Sequence, residues 1–568
     1  MSNVDEVKAV VEKAALENAI KFEGKANPKA LVGKVMGQFA EYRTKRDEAV
    51  FLVNEIVDTI NALSLAEQKA KLDSLGGATA KKAKPSNTEL KELTNAVPGN
   101  VVMRFAPSPS GPMHIGHAIT GGLSSLYVKK YGGKFIFRIE DTNADNIDPT
   151  AYDMLVRDAK WIFGNVDEVV IQSDRLPIYY EYAERLIKKG VLYIDTTDPE
   201  EFREYVSRKE DVPDKALSAE EHMARWSNML NGTIKKGDAV VRIKSDMAHP
   251  NPAMRDFPLF RINETPHPKQ GTKYRVWPLM NFSVFVDDYT FGLTHIIRAK
   301  DHTDNAKRQE LLFEAIGAKP PVSYFTGRYK FEGIELSSSK TRALIEDGTY
   351  DDWNDIRIPF LEPLRRRGYH PMSLLTFAQE IGLSKVDKKM EAADFFAKLD
   401  SNNKNIIDST TKRLFFVENP HELEVSGLNK NAELDLLPEG NPKNITGGRK
   451  FSIADSVLIE KADFANILTG VVTRLADLCN VVDSAKTADD SYDSFKSIQN
   501  KGKIIHWLPT TGNVDVTIRL ADNSVKKGVA EIRVSELEIG EVIQFERFGF
   551  CRLDSIEENV YNFWFGHK

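Results

Sequence analysis

The chain has 568 residues, 41% hydrophobic and 28% charged, with a net charge of −6. That length exceeds what one hydrophobic core organises, so about three to five domains of ordinary globular composition are expected. No apolar run reaches the roughly 18 residues of a membrane-spanning helix, the charged start MSNVDEVKAVVEK lacks the apolar centre of a signal peptide, and two cysteines, Cys479 and Cys551, are too few for a disulfide framework or a four-cysteine zinc site.

Residues 1–75 read as a helical domain, with Val7, Val10, Val11 and Ala14, then Phe51, Ile56, Val57 and Ile60, at helical spacing. Its role, structural or partner-binding, is open from chemistry alone. The stretch GGATAKKAKPSN, 76–87, has the small, basic, proline-bearing composition of a linker, taken to extend to residue 98. From 99 to 195 apolar strands alternate with amphipathic helices. Val101–Met103 and 134–139 are predicted strands, and 118–131, 151–163 and 178–189 are predicted helices. This pattern predicts a parallel sheet with helices on both faces, whose ligands bind at the C-terminal ends of the strands. Residues 196–262 read as an insertion ending in the basic, proline-broken, β-rich run VRIKSDMAHPNPAMRDFPLFRI. The doubly wound pattern resumes over 263–340, and a helical stretch over 341–405 carries three consecutive arginines, Arg365 to Arg367. Residues 406–568 hold short β-runs such as KRLFFVENP, KIIHWLP and IQFERFGFCRLD, separated by Gly, Asn, Asp and Pro, which is barrel-like spacing.

The stretch RFAPSPSGPMHIGHA, 104–118, lies between the first predicted strand and its helix. A helix N-terminus offers unpaired N–H groups and the positive end of its dipole to phosphate. Gly116 would let a ligand approach the backbone, and His114 and His117 add neutral or cationic donors. Four letters, HIGH, are weak alone, and two histidines capping a turn would explain them. Downstream stands ELSSSKTR, 335–342, a polar loop ending in Lys340 and Arg342. In this order the two elements resemble the paired signature of class I aminoacyl-tRNA synthetases, and Ser-Ser-Ser-Lys resembles the variant of archaeal glutamyl-tRNA synthetases.

The resemblance covers nearly the whole chain. It implies a Rossmann-like α/β catalytic domain with an N-terminal helical extension, an inserted acceptor-end-binding domain, a helical stem-contact subdomain and C-terminal anticodon-binding β-barrels. It implies that glutamate attacks ATP to give glutamyl-adenylate, and that the acyl group passes to the 3′ end of tRNA(Glu), with tRNA(Gln) as a further acceptor to consider. Such chemistry needs no enzyme nucleophile, only positioning and cationic stabilisation of phosphate charge. Magnesium accompanies the nucleotide and no structural zinc is expected. On this reading His114 and His117 contact the triphosphate, Lys340 closes over it from a mobile loop, and Gly116, Arg328, Tyr329 and Ser339 complete the ATP site. Glu140, in FRIEDTN, matches the position that binds the substrate's α-ammonium, and Arg104 and Arg298 match positions at its side-chain carboxylate. Two arginines favour glutamate over neutral glutamine. Singly, Glu140 or Arg298 would read as an ordinary ion-pair partner, and Asp141 reads as a brace for the helix that follows.

The chain departs from the family pattern at Met280 and Trp277, where tyrosine is common, at Ile119-Thr120, where arginine and alanine are expected, and at Ser108, a frequent asparagine. In many class I loops lysine stands in place of Ser338. The rival readings are a glutaminyl-tRNA synthetase, opposed by Arg298, and a non-catalytic RNA-binding protein on the same fold, opposed by the retention of His114, His117 and Lys340. A monomer in a reducing cytoplasm is expected, with no membrane partner. The acidic balance is neutral on RNA, because a basic groove can sit on an acidic protein.

Overall fold

The computed structural model describes the whole chain except residues 1–3, 22–23, 29–30, 33–34, 36–38, 40–41, 43–44, 76–88, 429–432, 437–448, 453 and 468–469. The chain divides into two compact units, Met1–Asn87 and Thr88–Lys568. In the first, helices α1 (Val4–Lys21), α2 (Arg46–Asn61) and α3 (Leu65–Ser74) surround one core containing Val7, Val11, Val53, Val57 and Ile60. The helical spacing read from the sequence is thus the spacing of the core positions, with Phe51 the exception, 73% exposed. The predicted linker 76–87 lies outside the described residues.

The second unit opens with β1 (Val101–Phe105), α4 (Ile115–Tyr131), β2 (Gly133–Ile139), α5 (Ala151–Phe163) and β3 (Glu168–Ile171). The three strands form a parallel sheet in the order β1-β2-β3, with Val101 opposite Gly133 and Ile136 opposite Glu168. Gly133 has φ near +129°, and a Cβ there would lie 2.0 Å from the Val101 carbonyl oxygen. Only glycine allows β2 to pair from its first residue.

Helix α6 (Leu176–Lys188) leads into an antiparallel sheet of β4 (Leu192–Asp195), β5 (Val240–Ile243), β6 (Pro258–Ile262) and β7 (Val276–Pro278). Between β4 and β5 lie α7 (Pro199–Arg208) and α8 (Ala219–Asn231). The boundary expected after residue 262 therefore falls inside this sheet. Its last strand, β7, pairs with β6 through Phe260 and Pro278 and buries Val276 and Trp277 in one core with Trp226 and Phe282.

Helix α9 (Met280–Thr290), β8 (His295–Ala299), α10 (Thr303–Ala315) and β9 (Val322–Thr326) return the chain to the parallel layer. The Thr294 N–H donates to the Val102 carbonyl at 3.0 Å, and the Val102 N–H donates to Thr294 Oγ1 at 2.9 Å, seating β8 beside β1. Strand β1 thus stands between β2 and β8. The sheet changes direction there, and an α/β sheet leaves a crevice at that point beyond its C-terminal strand ends.

Then follow β10 (Tyr329–Glu332), α11 (Ser338–Glu346), α12 (Leu361–Arg366), α13 (Pro371–Ile381), β11 (Lys388–Glu391) and α14 (Ala392–Ile407). The boundary expected after Lys340 falls inside α11. The Ser337 hydroxyl caps its N-terminus, so ELSSSKTR is half loop and half helix. The three arginines are not a solvated face. Arg365 donates to Glu362 at 2.7 Å, Arg366 binds Asp554 and lies 3.8 Å from the Trp564 ring centroid, and Arg367 donates to the Gly566 carbonyl at 2.8 Å.

The C-terminal part holds two β-rich cores. One is a seven-stranded sheet in the order Lys412–Leu414, Val542–Phe545, Gly549–Glu557, Val560–His567, Asn513–Arg519, Val525–Glu531 and Phe416–Glu418. Its two edge strands are neighbours in sequence, so the sheet nearly closes on itself. The other core packs around Trp507, Val457 and Val481. Both cysteines are buried and unpaired. Among the described residues no single helix is long and apolar enough to cross a membrane.

Candidate active site

Arg104, Arg138 and Arg298 are each the last residue but one of their parallel strands, β1, β2 and β8. This places three guanidiniums at the C-terminal edge of the sheet, and those of Arg104 and Arg298 line a cavity of about 200 Å³. Its lining includes Arg104, Phe105, His117, Thr120, Glu140, Met280, Arg298, His302 and Gln309.

Two buried acids on α9 answer most of this charge. Asp288 accepts from Arg104 Nε at 3.2 Å and from Arg138 Nη1 at 2.7 Å, and the two guanidiniums hold its carboxyl below the usual range against the effect of burial. Asp287 accepts from Arg175 Nε at 2.8 Å and from Gln172 at 2.8 Å, and sits 3.6 Å from Arg138 Nε. Arg138 also donates to Glu140 at 3.0 Å. Arg298 has no carboxylate in ion-pair range among the described residues. Its Nη1 donates to the neutral Gln309 amide at 3.0 Å, and its buried Nε has no partner. Four guanidiniums, those of Arg104, Arg138, Arg175 and Arg298, thus face three carboxylates, leaving one positive charge in excess. Burial first, then repulsion from Arg104, pushes the Arg298 guanidinium down to about 10. A buried cation with an unused donor beside a cavity has the chemistry to accept an anion.

The same cavity meets a second cleft at His117. That cleft, of about 500 Å³, is lined by Ser108, Ser110, His114, His117, Asp145, Asn146, Leu336 to Ser339 and Arg342. Two helix N-termini open onto it, α4 behind His114 and α11 behind Ser337, and neither carries an acidic residue in its first turn. Two positive dipole ends without acidic compensation suit a phosphate chain.

The histidines are arranged as donors. Their rings stack at 3.7 Å between centroids, half-buried against the cleft. His114 Nδ1 accepts from the Gly116 N–H at 3.1 Å, and His117 Nδ1 accepts from the His114 N–H at 3.4 Å. Burial holds His117 down at about 4, and burial with the neighbouring ring holds His114 well below its ordinary range. Both rings are therefore neutral at pH 7, and with Nδ1 accepting, each carries its proton on Nε2. Gly116 serves this cap: a Cβ on it would lie 2.9 Å from His114 Cε1. The close approach at Gly116 is made by the histidine ring.

Of the other expected site residues, Ser339 lines the second cleft. Lys340 lies on α11, 70% exposed, its ammonium 3.0 Å from Glu335 and outside that lining. The cation that does line it is Arg342, whose Nη2 donates to the Ser110 carbonyl at 2.7 Å. Arg328 and Tyr329 stand apart from the cleft. Arg328 pairs with Asp301 at 2.5 Å at the surface, and Tyr329 is half-buried on β10 with its hydroxyl unpartnered. Among the departures, Thr120 and Met280 line the first cavity and Ser108 and Ser338 the second, whereas Trp277 is buried and stacks on His267 at 4.9 Å. Asp141 braces the helix that follows by accepting from the Tyr152 hydroxyl at 2.7 Å, and also accepts from Ser173. Sequence reasoning missed Arg138, Asp287, Asp288 and Gln309. The signal was there for the acids: an Asp-Asp pair directly after the apolar run Val284-Phe285-Val286 demands buried cationic partners.

Residues 100–403 match the model of the class I tRNA synthetase (E and Q) catalytic domain. The chain belongs to that family. Residues 411–498 and 504–554 match the two anticodon-binding domain models of the same class. A glutamate–tRNA ligase of Methanocaldococcus jannaschii is 41% identical over 98% of this chain and 99% of its own. One of Pyrococcus abyssi is 41% identical over 99% of this chain and all of its own. A solved glutamate tRNA ligase of Elizabethkingia meningosepticum, in complex with its amino acid, covers 54% of this chain and 70% of its own at 21% identity and a TM-score of 0.40, too remote to place side chains.

Proposed function

We propose that the chain is a glutamate–tRNA ligase that activates L-glutamate with ATP and esterifies it to the 3′ end of tRNA(Glu). The observation that carries this reading is the meeting of the two clefts at His117. One has the charge of an amino-acid site and the other the donors of a polyphosphate site. Glutamate bears one net negative charge at pH 7 and matches the excess charge of the arginine cluster, whereas glutamine bears none. In this reading Arg298 and Arg104 bind the side-chain carboxylate and Glu140 the α-ammonium. The α-carboxylate then faces the cleft across His117. The His114 and His117 Nε2–H groups and the α4 and α11 N-termini hold the triphosphate, with Ser339 beside it in the same cleft.

Attack of the glutamate carboxylate on the α-phosphorus places extra negative charge on the phosphate oxygens and releases pyrophosphate. Neutral donors fixed before reaction stabilise that charge without reorganising. Lys340 is positioned to move from Glu335 towards the triphosphate, and Arg342 supplies a cation already in place. Magnesium is proposed to arrive on the triphosphate, which would provide most of its oxygen ligands and let it neutralise phosphate charge. Among the described residues no three His, Cys, Asp or Glu come together to hold a metal, and Asp145 is the carboxylate nearest this role.

The proposed layout continues outward. The insertion around β4–β7 takes the acceptor end, the helices after Lys340 contact the stem, and the β-rich part reads the anticodon. A cytoplasmic monomer completes the reading. The test is charging of purified tRNA(Glu) and tRNA(Gln) by the full chain with labelled glutamate and, in a parallel arm, with labelled glutamine. Glutamate attached to tRNA(Glu) supports the reading, the tRNA(Gln) arm reports the breadth of acceptor use, and an ATP-dependent preference for glutamine overturns it.

A further inference from the structure

Asp158 is 1% exposed, set on α5 among Leu155, Ala159 and Ile162 of the main core. A carboxylate there costs free energy unless something uses it. Its Oδ2 accepts from the Met113 N–H at 3.0 Å. Met113 immediately precedes His114, and its own carbonyl accepts from the Leu361 N–H at 2.9 Å. One residue later the His114 N–H donates to His117 Nδ1, and His114 bridges Phe360 across the backbone. The residue leading into the two histidines is therefore gripped on both sides, by Asp158 at its N–H and by α12 at its carbonyl.

We propose that Asp158 is a positioning residue for the activation step, fixing the Met113–His114 segment so that the Nε2–H groups of His114 and His117 point into the phosphate cleft. The proposal rests on the reading of these histidines as phosphate donors. The geometry favours a charged acceptor at this amide, because an ionised oxygen binds an N–H about twice as strongly as a neutral one. The groups that face Asp158 are Arg157 on its own helix and Glu362 and Arg365 on α12. Both arginines are spent on Glu362, at 3.4 Å and 2.7 Å. Burial pushes the Asp158 carboxyl up to about 7. Its charge, and with it the stronger grip on Met113, is present above that pH and lost below it.

The experiment compares the full-length wild type with Asp158→Leu and Asp158→Asn in tRNA-dependent ATP–pyrophosphate exchange from pH 6 to 8.5. Asp158→Leu is expected to lower kcat about ten- to hundredfold, the scale of a misplacement near 1 Å, with KM for glutamate within about twofold. Asp158→Asn keeps an acceptor of the same shape, recovers most of that loss, and lacks the fall in kcat that the wild type shows as pH drops through 7. Unchanged kcat in Asp158→Leu, or a raised KM at constant kcat, overturns the proposal. If Asp158→Leu does not fold, the Asn variant decides: a pH profile identical to that of the wild type overturns it. An inactive wild type overturns the functional reading and this proposal with it, whereas an active wild type beside an unimpaired Leu variant overturns only the positioning role.

Discussion

Replacing Arg298 by methionine separates function from stability. In the free protein Arg298 is a buried guanidinium that donates to the neutral Gln309 amide, and burial depresses its pKa from the ordinary arginine range to about 10. A depression of that size corresponds to a penalty of about 3 kcal/mol on the folded state. The sign is unfavourable at neutral pH, because the group stays charged there while its folded environment prefers it neutral, and the penalty is constant across pH 5 to 8. Methionine removes it while filling much of the apolar stem's volume. The change leaves Gln309 without its donor, at about 1–3 kcal/mol, so unfolding stability should hold or rise slightly. Glutamate binding should suffer. Losing one partner of a buried charge-assisted pair costs about 2–5 kcal/mol, or about 30- to 5,000-fold in kcat/KM for glutamate. The assay is ATP–pyrophosphate exchange with tRNA present and glutamate varied, beside thermal unfolding of both proteins. A kcat/KM within threefold of wild type refutes the anion-site argument. A large activity loss accompanied by a clear fall in Tm makes Arg298 a structural ion instead.

Asp288→Asn should destabilise the fold by about 3–5 kcal/mol in urea titration, since it strips the buried Arg104 and Arg138 guanidiniums of a shared carboxylate. His117 should make stability acid-sensitive. The unfolded ring takes a proton near 6.5 and the folded ring only near 4, so its contribution is complete above 6.5 and lost as pH falls towards 4. That contribution is about 2–3 kcal/mol after discounting for the ring's open side, and the urea midpoint of His117→Gln should fall less between pH 7 and 4.5 than that of the wild type. Lys340→Ala should slow adenylate formation at least about tenfold. Its Tm should not move, because the lysine is 70% exposed and its pair with Glu335 contributes at most about 1 kcal/mol.

The alternation of strands and helices after residue 99, the helical start and the β-rich end were legible because each is a local periodicity imposed by burial on one face. The boundaries at 262 and 340 were not. Strand β7 is a three-residue stretch with no alternation to read, and α11 begins inside a serine run that looks like loop until its cap is seen. His114, His117, Arg104, Glu140 and Arg298 were legible through motif order, and they do converge on adjoining cavities. The neutral state of the histidines was not legible, since it arises from a dense surround that no spacing encodes. Nor was the fate of Arg366 and Arg367, whose partners lie about 190 residues away in sequence. Arg328 shows the converse: the resemblance led to the expectation of a nucleotide contact, while its ion pair with Asp301 holds it at the surface.

The most direct test of the central claim is a charging assay with purified tRNA(Glu), ATP and either labelled glutamate or labelled glutamine. The single excess positive charge around Arg298 predicts ATP-dependent attachment of glutamate, and glutamine left unattached at equal concentration. Attachment of glutamine in preference, or no charging by a folded protein, would contradict the account.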